Sequence, residues 1–195
     1  GDAIVTGEDG DRAGVDFAFN AWGEAFSPYR NDAAISSRIL DHLDIERFIE
    51  PMILEGGSIA VDGEGLLVTT EQCLLNPNRN PDLDRHTIDA ELCRALGLER
   101  VVWLEKGLVE DADTDGHVDN ICAFLEPDRV LLQTVNDPAD PNFEGSRENV
   151  RRLEAAGIEV ASLAQIACGL AAGDADGQLE MLAKLVRQRG VTHLH

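Results

Sequence analysis

Positive charge is scarce in this chain. Sixteen lysines and arginines face 37 aspartates and glutamates, a formal net charge of −21. That imbalance argues against nucleic acid and anionic membrane as partners, because both repel an acidic surface. It is compatible with a cationic small molecule, and a merely solvated acidic exterior is the plainer alternative. Lysine is nearly absent, with Lys106 and Lys184 set against fourteen arginines. Long apolar runs are missing too: none approaches the roughly 20 residues of a membrane-spanning helix. The opening "GDAIVTGEDG" lacks the basic and apolar regions of a secretory leader, and it lacks an initiator methionine. The expectation is a cytoplasmic protein whose given sequence begins mid-chain. Cysteine is limited to Cys73, Cys93, Cys122 and Cys168, with no C-x-x-C pair. Neither a disulfide framework nor a zinc ribbon is therefore expected.

What is present reads as a globular α/β protein, with 44% hydrophobic residues. Helical spacing predicts a helix over 32–43, with Ile35, Ile39 and Leu43 on its stripe and Asp32 as cap. A second is predicted over 84–96 (Ile88, Leu92, Leu96), stopped by Gly97. A third spans 146–156, from Ser146 as N-cap to Gly157, and a fourth 176–189. Strands are predicted at 47–55, 58–62, 66–70, 100–104, 118–125, 129–133, 158–163 and 191–195. The junctions "LDIERFIEP" (43–51) and "LGLERVVWL" (96–104) share a register, a hint of internal repetition. The "NPNRNP" run (76–81) contains two donorless prolines and predicts a rigid surface loop.

Two stretches could carry chemistry. In "DTDGHVDN" (113–120), a strand through 117–123 would place His117 and Asp119 on one face and Cys122 on the other. An imidazole beside a carboxylate suits general acid–base work near neutral pH, and a solvated strand end would look the same. In "EGGSIAVDGEG" (55–65), Glu55 ends an apolar strand beside two bare glycines; an exposed strand end is again the plainer alternative. A metal site drawn from Glu55, His117 and Asp119 matches no recognised ligand spacing, so no metal or other cofactor is expected. Cys93 reads as core, and Cys73 and Cys168 have no basic neighbour in sequence that would stabilise a thiolate.

Several long strings resemble one family. "EGGSIAVDGEG…LLVTTEQCLLNPNRNP" (55–81), "VVWLEKGL" (101–108) and "DTDGHVDNICAFLEPDRVLL" (113–132) are similar to agmatine deiminases, which belong with the peptidyl-arginine deiminases among guanidine-modifying enzymes. "FNAWG" (19–23) and "NDPADPNFE" (136–144) are similar as well. The resemblance covers about 11–150 and fades into a divergent tail at 165–195. It implies a pentein-type α/β propeller of repeated ββαβ modules. It also implies hydrolysis of agmatine to N-carbamoylputrescine and ammonia through a cysteine thiouronium, a step of polyamine and putrescine biosynthesis. By resemblance His117 is the acid/base, Asp119 and Glu55 are catalytic and guanidinium-binding carboxylates, and Asp113 lies near the substrate.

Two family features are missing. The W-x-R-D-x-G-P motif would place its glycine at Gly1, so its aspartate is absent. The G-G-x-I-H-C segment that carries the nucleophile has no counterpart, and "IACGL" (166–170) around Cys168 does not replace it. The expectation is one incomplete deiminase-type domain over 1–195, a partial propeller that is inactive alone, with oligomerisation left open. The alternatives are a non-catalytic module that binds guanidino or polyamine cations, and a peptidyl-arginine deiminase.

Overall fold

The computed structural model describes residues 2–7 and 9–164. The helix and strand expected at 176–189 and 191–195, and Cys168, lie outside the described residues. Among those described, fifteen elements repeat one pattern three times. In the first unit β1 (Asp2–Thr6) pairs antiparallel with β2 (Arg12–Ala18). The short helices α1 (Ala21–Glu24) and α2 (Arg30–Ala33) and the longer α3 (Ile35–His42) follow, and β3 (Glu46–Ile53) returns parallel to β2. The second unit has β4 (Ile59–Val61) antiparallel to β5 (Leu66–Thr70), then α4 (Glu71–Leu74), α5 (Arg85–Leu96) and β6 (Arg100–Leu104) parallel to β5. The third has β7 (Cys122–Glu126), β8 (Arg129–Leu132), α6 (Phe143–Ala155) and β9 (Glu159–Ser162) in the same order and senses. These are ββαβ modules, each forming its own three-stranded sheet.

The shared register noted in sequence marks equivalent joints. Asp44 (φ +53), Gly97 (φ +67) and Gly157 (φ +80) each turn the chain left-handed between a module's helix and its last strand. Hydrophobic burial then fuses the modules. Val15, Phe17, Met52 and Leu54 of the first pack with Leu67, Leu74, Ile88 and Leu92 of the second. Leu66, Val68 and Leu104 of the second pack with Val118, Phe124, Leu132 and Leu153 of the third. Strand β5 is buried at all five positions, because its alternating side chains feed both cores. Polar ties reinforce the joints: Arg94 reaches the buried Glu50, and Arg152 Nη1 donates to Glu71 Oε1 at 2.7 Å. Asn149, buried on α6, accepts from Glu105 N and donates to Lys106 O at the exit of β6.

Some local expectations change. The helix predicted over 32–43 breaks into α2 and α3. Asp32 lies inside α2, and α3 starts after Ala34 without a side-chain cap. The stripe of Ile35, Ile39 and Leu43 faces outward; Ser36 and Leu40 are the buried pair, because Leu40 fills the space beside Gly14, where a Cβ would stand 2.3 Å from it. Helix α6 begins at Phe143 after Asn142, and Ser146 lies within it, its hydroxyl donating to Phe143 O and accepting from Val135 N. The predicted strand at 118–125 starts only at Cys122, since Val118–Asn120 form a 3-10 turn. Strands β1 and β2 were not foreseen. Among the described residues no helix is long and apolar enough to cross a membrane.

Leu92 is fully buried where the first two modules meet, whereas Ile49 is 74% exposed. Leu92→Ala is therefore expected to cost about 2–5 kcal/mol, and Ile49→Ser no more than about 0.5 kcal/mol. Urea denaturation of the two variants checks this contrast.

Candidate active site

The site is assembled where three chain segments leave their modules. After β3, the chain carries Glu55 inward, 4% exposed, and turns through Gly56–Ser58. Ser58 donates to Glu55 O at 2.6 Å, and Thr69 Oγ1 at the end of β5 donates to Ser58 O at 2.7 Å. The next residue of β5, Thr70, donates to Gly116 O at 2.7 Å and accepts from Cys73 N, capping α4. Two adjacent buried hydroxyls thus hold the Glu55 segment and the His117 loop on one strand end.

The loop before His117 is organised by Asp111. Its carboxylate accepts from Thr114 N (3.1 Å), Thr114 Oγ1 (2.6 Å), His117 N (2.9 Å) and Asn120 Nδ2 (3.0 Å). Burial raises the pKa of Asp111, but these bonds outweigh it and hold the carboxyl below 3.8. Gly116 follows at φ +79, and Gly107 packs so closely on it that a Cβ there would stand 2.4 Å from Gly116 Cα. Backbone touches backbone at this point, which only glycine permits.

His117 and Asp119 do converge, though not by strand alternation. The 3-10 turn buries Val118 and swings the two side chains toward Gly57. His117 Nδ1 and Asp119 Oδ2 lie 2.5 and 2.7 Å from the point where a Gly57 Cβ would be. Glycine at 57 is what lets them meet. His117 is buried and Asp119 exposed. The other ring nitrogen, Nε2, lies 3.5 Å from Glu55 Oε2, too long for a hydrogen bond, and has no hydrogen-bond partner among the described residues. Three of the sequence candidates, Glu55, His117 and Asp119, are therefore brought together. Asp113 is exposed at the loop's edge and takes no part in these contacts.

Arg79 was missed. The "NPNRNP" segment expected on the surface points its arginine inward, with the side chain 0% exposed. Nε donates to Glu55 Oε1 at 2.8 Å, Nη1 to Asp115 Oδ2 at 2.6 Å and Asn78 Oδ1 at 2.7 Å, and Nη2 to Thr114 O at 3.2 Å. Neighbouring asparagines fasten the loop: Asn80 exchanges two 2.9 Å bonds with the Ile53 backbone, and Asn20 Nδ2 donates to Asn78 O. The only hint in sequence was that the lone charge of a polar, proline-braced loop needs a partner. Burial raises the Glu55 pKa, but the His117 and Arg79 contacts together overcome it and hold the carboxyl below 4.5.

The described thiols do not suit nucleophilic attack. Burial, reinforced by the Glu55 charge, pushes Cys73 up to about 12 despite nearby Arg79. Burial alone does the same to Cys122, which sits in the core between the second and third modules. Cys93, expected in the core, is only half-buried, and its thiol is also raised, by burial and then by Asp89.

The family model of Porphyromonas-type peptidyl-arginine deiminase matches residues 1–167. The chain belongs to that family. It is 49% identical over 140 residues to an agmatine deiminase of Medicago truncatula, an alignment covering 70% of this chain and 37% of that protein. With an agmatine deiminase of Pseudomonas fluorescens strain SBW25 the identity is 47% over 148 residues, 73% of this chain and 40% of the other. The chain thus spans about 40% of the length of these curated relatives. Among solved structures, the agmatine deiminase of Enterococcus faecalis superposes with a TM-score of 0.78 at 33% identity, covering 84% of this chain and 47% of the other. A C. jejuni agmatine deiminase with substrate bound gives 0.73 at 33% identity, covering 78% and 46%. Three ββαβ modules with this likeness make the fold a partial α/β propeller of the pentein type.

Two outcomes are expected from this geometry. Arg79→Met leaves Glu55 and Asp115 without their buried cation and should cost about 3–5 kcal/mol in chemical denaturation. Glu55 and Asp111 have folded pKa values below their ordinary 4.5 and 3.8. Each therefore contributes stability above those values that is lost as pH falls through the folded pKa. Denaturation midpoints should drop as pH is lowered below about 4.5, and less steeply in Arg79→Met.

Proposed function

We propose that this chain carries the acid/base and guanidinium-binding half of an agmatine deiminase, a hydrolase of guanidino C–N bonds. The observation that carries the reading is the meeting of His117 and Asp119 over the bare backbone of Gly57, with Glu55 Oε2 3.5 Å from the far side of the imidazole. The kinship with agmatine deiminases supports it.

The chemistry follows from the substrate class. A guanidinium is planar and permanently charged, so it is held best by carboxylates that accept paired N–H bonds. Asp119 is exposed and free to do so, and Glu55, behind it, keeps its charge because Arg79 and His117 oppose its desolvation. Asp113 at the loop edge is assigned to the distal, amine-bearing end of the substrate. A thiolate adds to the guanidinium carbon, and His117 delivers the proton with which ammonia departs. The imidazole then takes a proton from water, whose oxygen adds to the thiouronium carbon. Expulsion of the thiolate leaves N-carbamoylputrescine, which places the reaction in putrescine formation. The cytoplasm is the setting assigned to it, and residues 1–195 are assigned to one deiminase-type domain.

The thiolate does not come from the described residues. Cys73 and Cys122 are buried and protonated, and Cys93 lies on α5 within the second module. The reading is therefore a site that binds agmatine and whose described residues do not supply the attacking atom. Peptidyl-arginine is disfavoured as substrate, because the "NPNRNP" loop is committed to holding Glu55.

Calorimetry of the purified chain with agmatine should show saturable binding. Asp119→Asn should weaken it at least about tenfold by removing a charge-assisted pair. Gly57→Ala should do likewise, because its methyl would displace the His117 and Asp119 side chains. Ammonia release should stay at background. Absence of saturable binding would overturn the guanidinium reading, and turnover abolished by His117→Ala would overturn the missing nucleophile.

A further inference from the structure

Behind the face that meets Gly57, Glu55, Cys73 and His117 each bring one ligand atom of different chemistry, a carboxylate oxygen, a sulfur and a ring nitrogen, all within 4.8 Å of one another. Glu55 Oε2 lies 3.5 Å from His117 Nε2 and 3.9 Å from Cys73 Sγ. With those edges, the point equidistant from the three atoms lies about 2.4 Å from each at most, against about 2.0–2.3 Å for zinc bonds to carboxylate, imidazole and thiolate. A contraction of a few tenths of an ångström would complete a trigonal set.

The three groups are also chemically ready. Glu55 is held through its other oxygen by Arg79, which leaves Oε2 for monodentate coordination. His117 is 6% exposed, and its Nε2 has no hydrogen-bond partner among the described residues, so that atom remains available as a ligand. Its Nδ1 and Asp119 Oδ2 both lie beside Gly57, so an outer carboxylate stands near the imidazole. Cys73 Sγ points at Glu55 from the start of the second module's helical segment, and Thr70 fixes that turn. One guanidinium, Arg79, opposes a cation here; Glu55, Asp111, Asp115 and Asp119 outnumber it.

We propose that Glu55, Cys73 and His117 form a binding site for a thiophilic divalent cation of the zinc class, which on binding withdraws Glu55 and His117 from guanidinium chemistry. The mixed sulfur, nitrogen and oxygen set favours zinc or cobalt over the hard, all-oxygen preference of magnesium or calcium. On binding, the Cys73 thiol loses its proton to solvent as the metal–sulfur bond forms, so affinity rises with pH. Ligand spacing along the chain does not single out this set, because Cys73 lies 18 residues from Glu55. The binding claim stands apart from the deiminase reading; only the inhibitory consequence rests on it.

The test uses the full 195-residue chain carrying Cys93→Ser and Cys168→Ser, titrated with Co2+. One saturable equivalent is expected, with a near-ultraviolet sulfur-to-cobalt charge-transfer band that Zn2+ abolishes by displacement. Cys73→Ser should remove that band, and His117→Ala should weaken binding at least tenfold. X-ray absorption of the zinc-loaded chain without substitutions needs no variant to fold, and should read one sulfur among nitrogen and oxygen neighbours. A shell of oxygen and nitrogen alone, or a thiolate band that survives Cys73→Ser, overturns the site. Agmatine calorimetry with one equivalent of Zn2+ should show at least tenfold weaker binding; unchanged affinity overturns the inhibitory role. Failure of agmatine to bind without metal counts against the deiminase reading and leaves the cobalt result readable.

Discussion

The architecture of the candidate site depends on one buried cation. Arg79 has no solvent contact, and its guanidinium is satisfied from two directions: Glu55 from the strand-exit segment, and Asp115 with Thr114 O from the loop before His117. Burying an arginine is tolerable only with paired charges and filled hydrogen bonds, and those conditions fix the relative positions of the two segments. Together with the His117 contact, the same pairing holds the Glu55 carboxyl below its ordinary range although it is almost fully buried. The buried carboxylate thus faces an imidazole and a guanidinium in place of water.

Around that cation, close approach is bought with the absence of side chains. Gly57 admits His117 and Asp119, and Gly107 lies directly on Gly116. Thr69 and Thr70 close the arrangement from the end of β5, whose buried sides join both hydrophobic cores. The site is therefore attached to the most deeply buried strand of the described protein. Its precision derives from packing between modules, since neither the Glu55 segment nor the His117 loop is a regular element that could hold itself in place.

The elements that were legible from sequence are those with strong local signals. Strands β5 and β6 and helix α5 appear where short apolar runs, helical period and the Gly97 stop placed them. Helix α3 misled, because its apolar stripe of Ile35, Ile39 and Leu43 is not the face that Gly14 admits to the core. Strands β1 and β2 escaped notice in a stretch dense with glycine and aspartate. For the site, residue type and family strings were enough to single out Glu55, His117 and Asp119. The reason first given for the His117–Asp119 pairing, alternation along a strand, was wrong: a 3-10 turn brings them together.

The sequence by itself determined the modular α/β character and the family, and singled out Glu55, His117 and Asp119 as candidates, because these follow from local periodicity, glycine punctuation and long matching strings. Tertiary structure alone decided which groups Arg79, Asp111 and Cys73 meet. Arg79 is 24 residues from Glu55 and 36 from Asp115, and Cys73 is 18 from Glu55. No local rule links positions so far apart. They meet because two adjacent modules bury one strand between them, and the charges left inside must find each other.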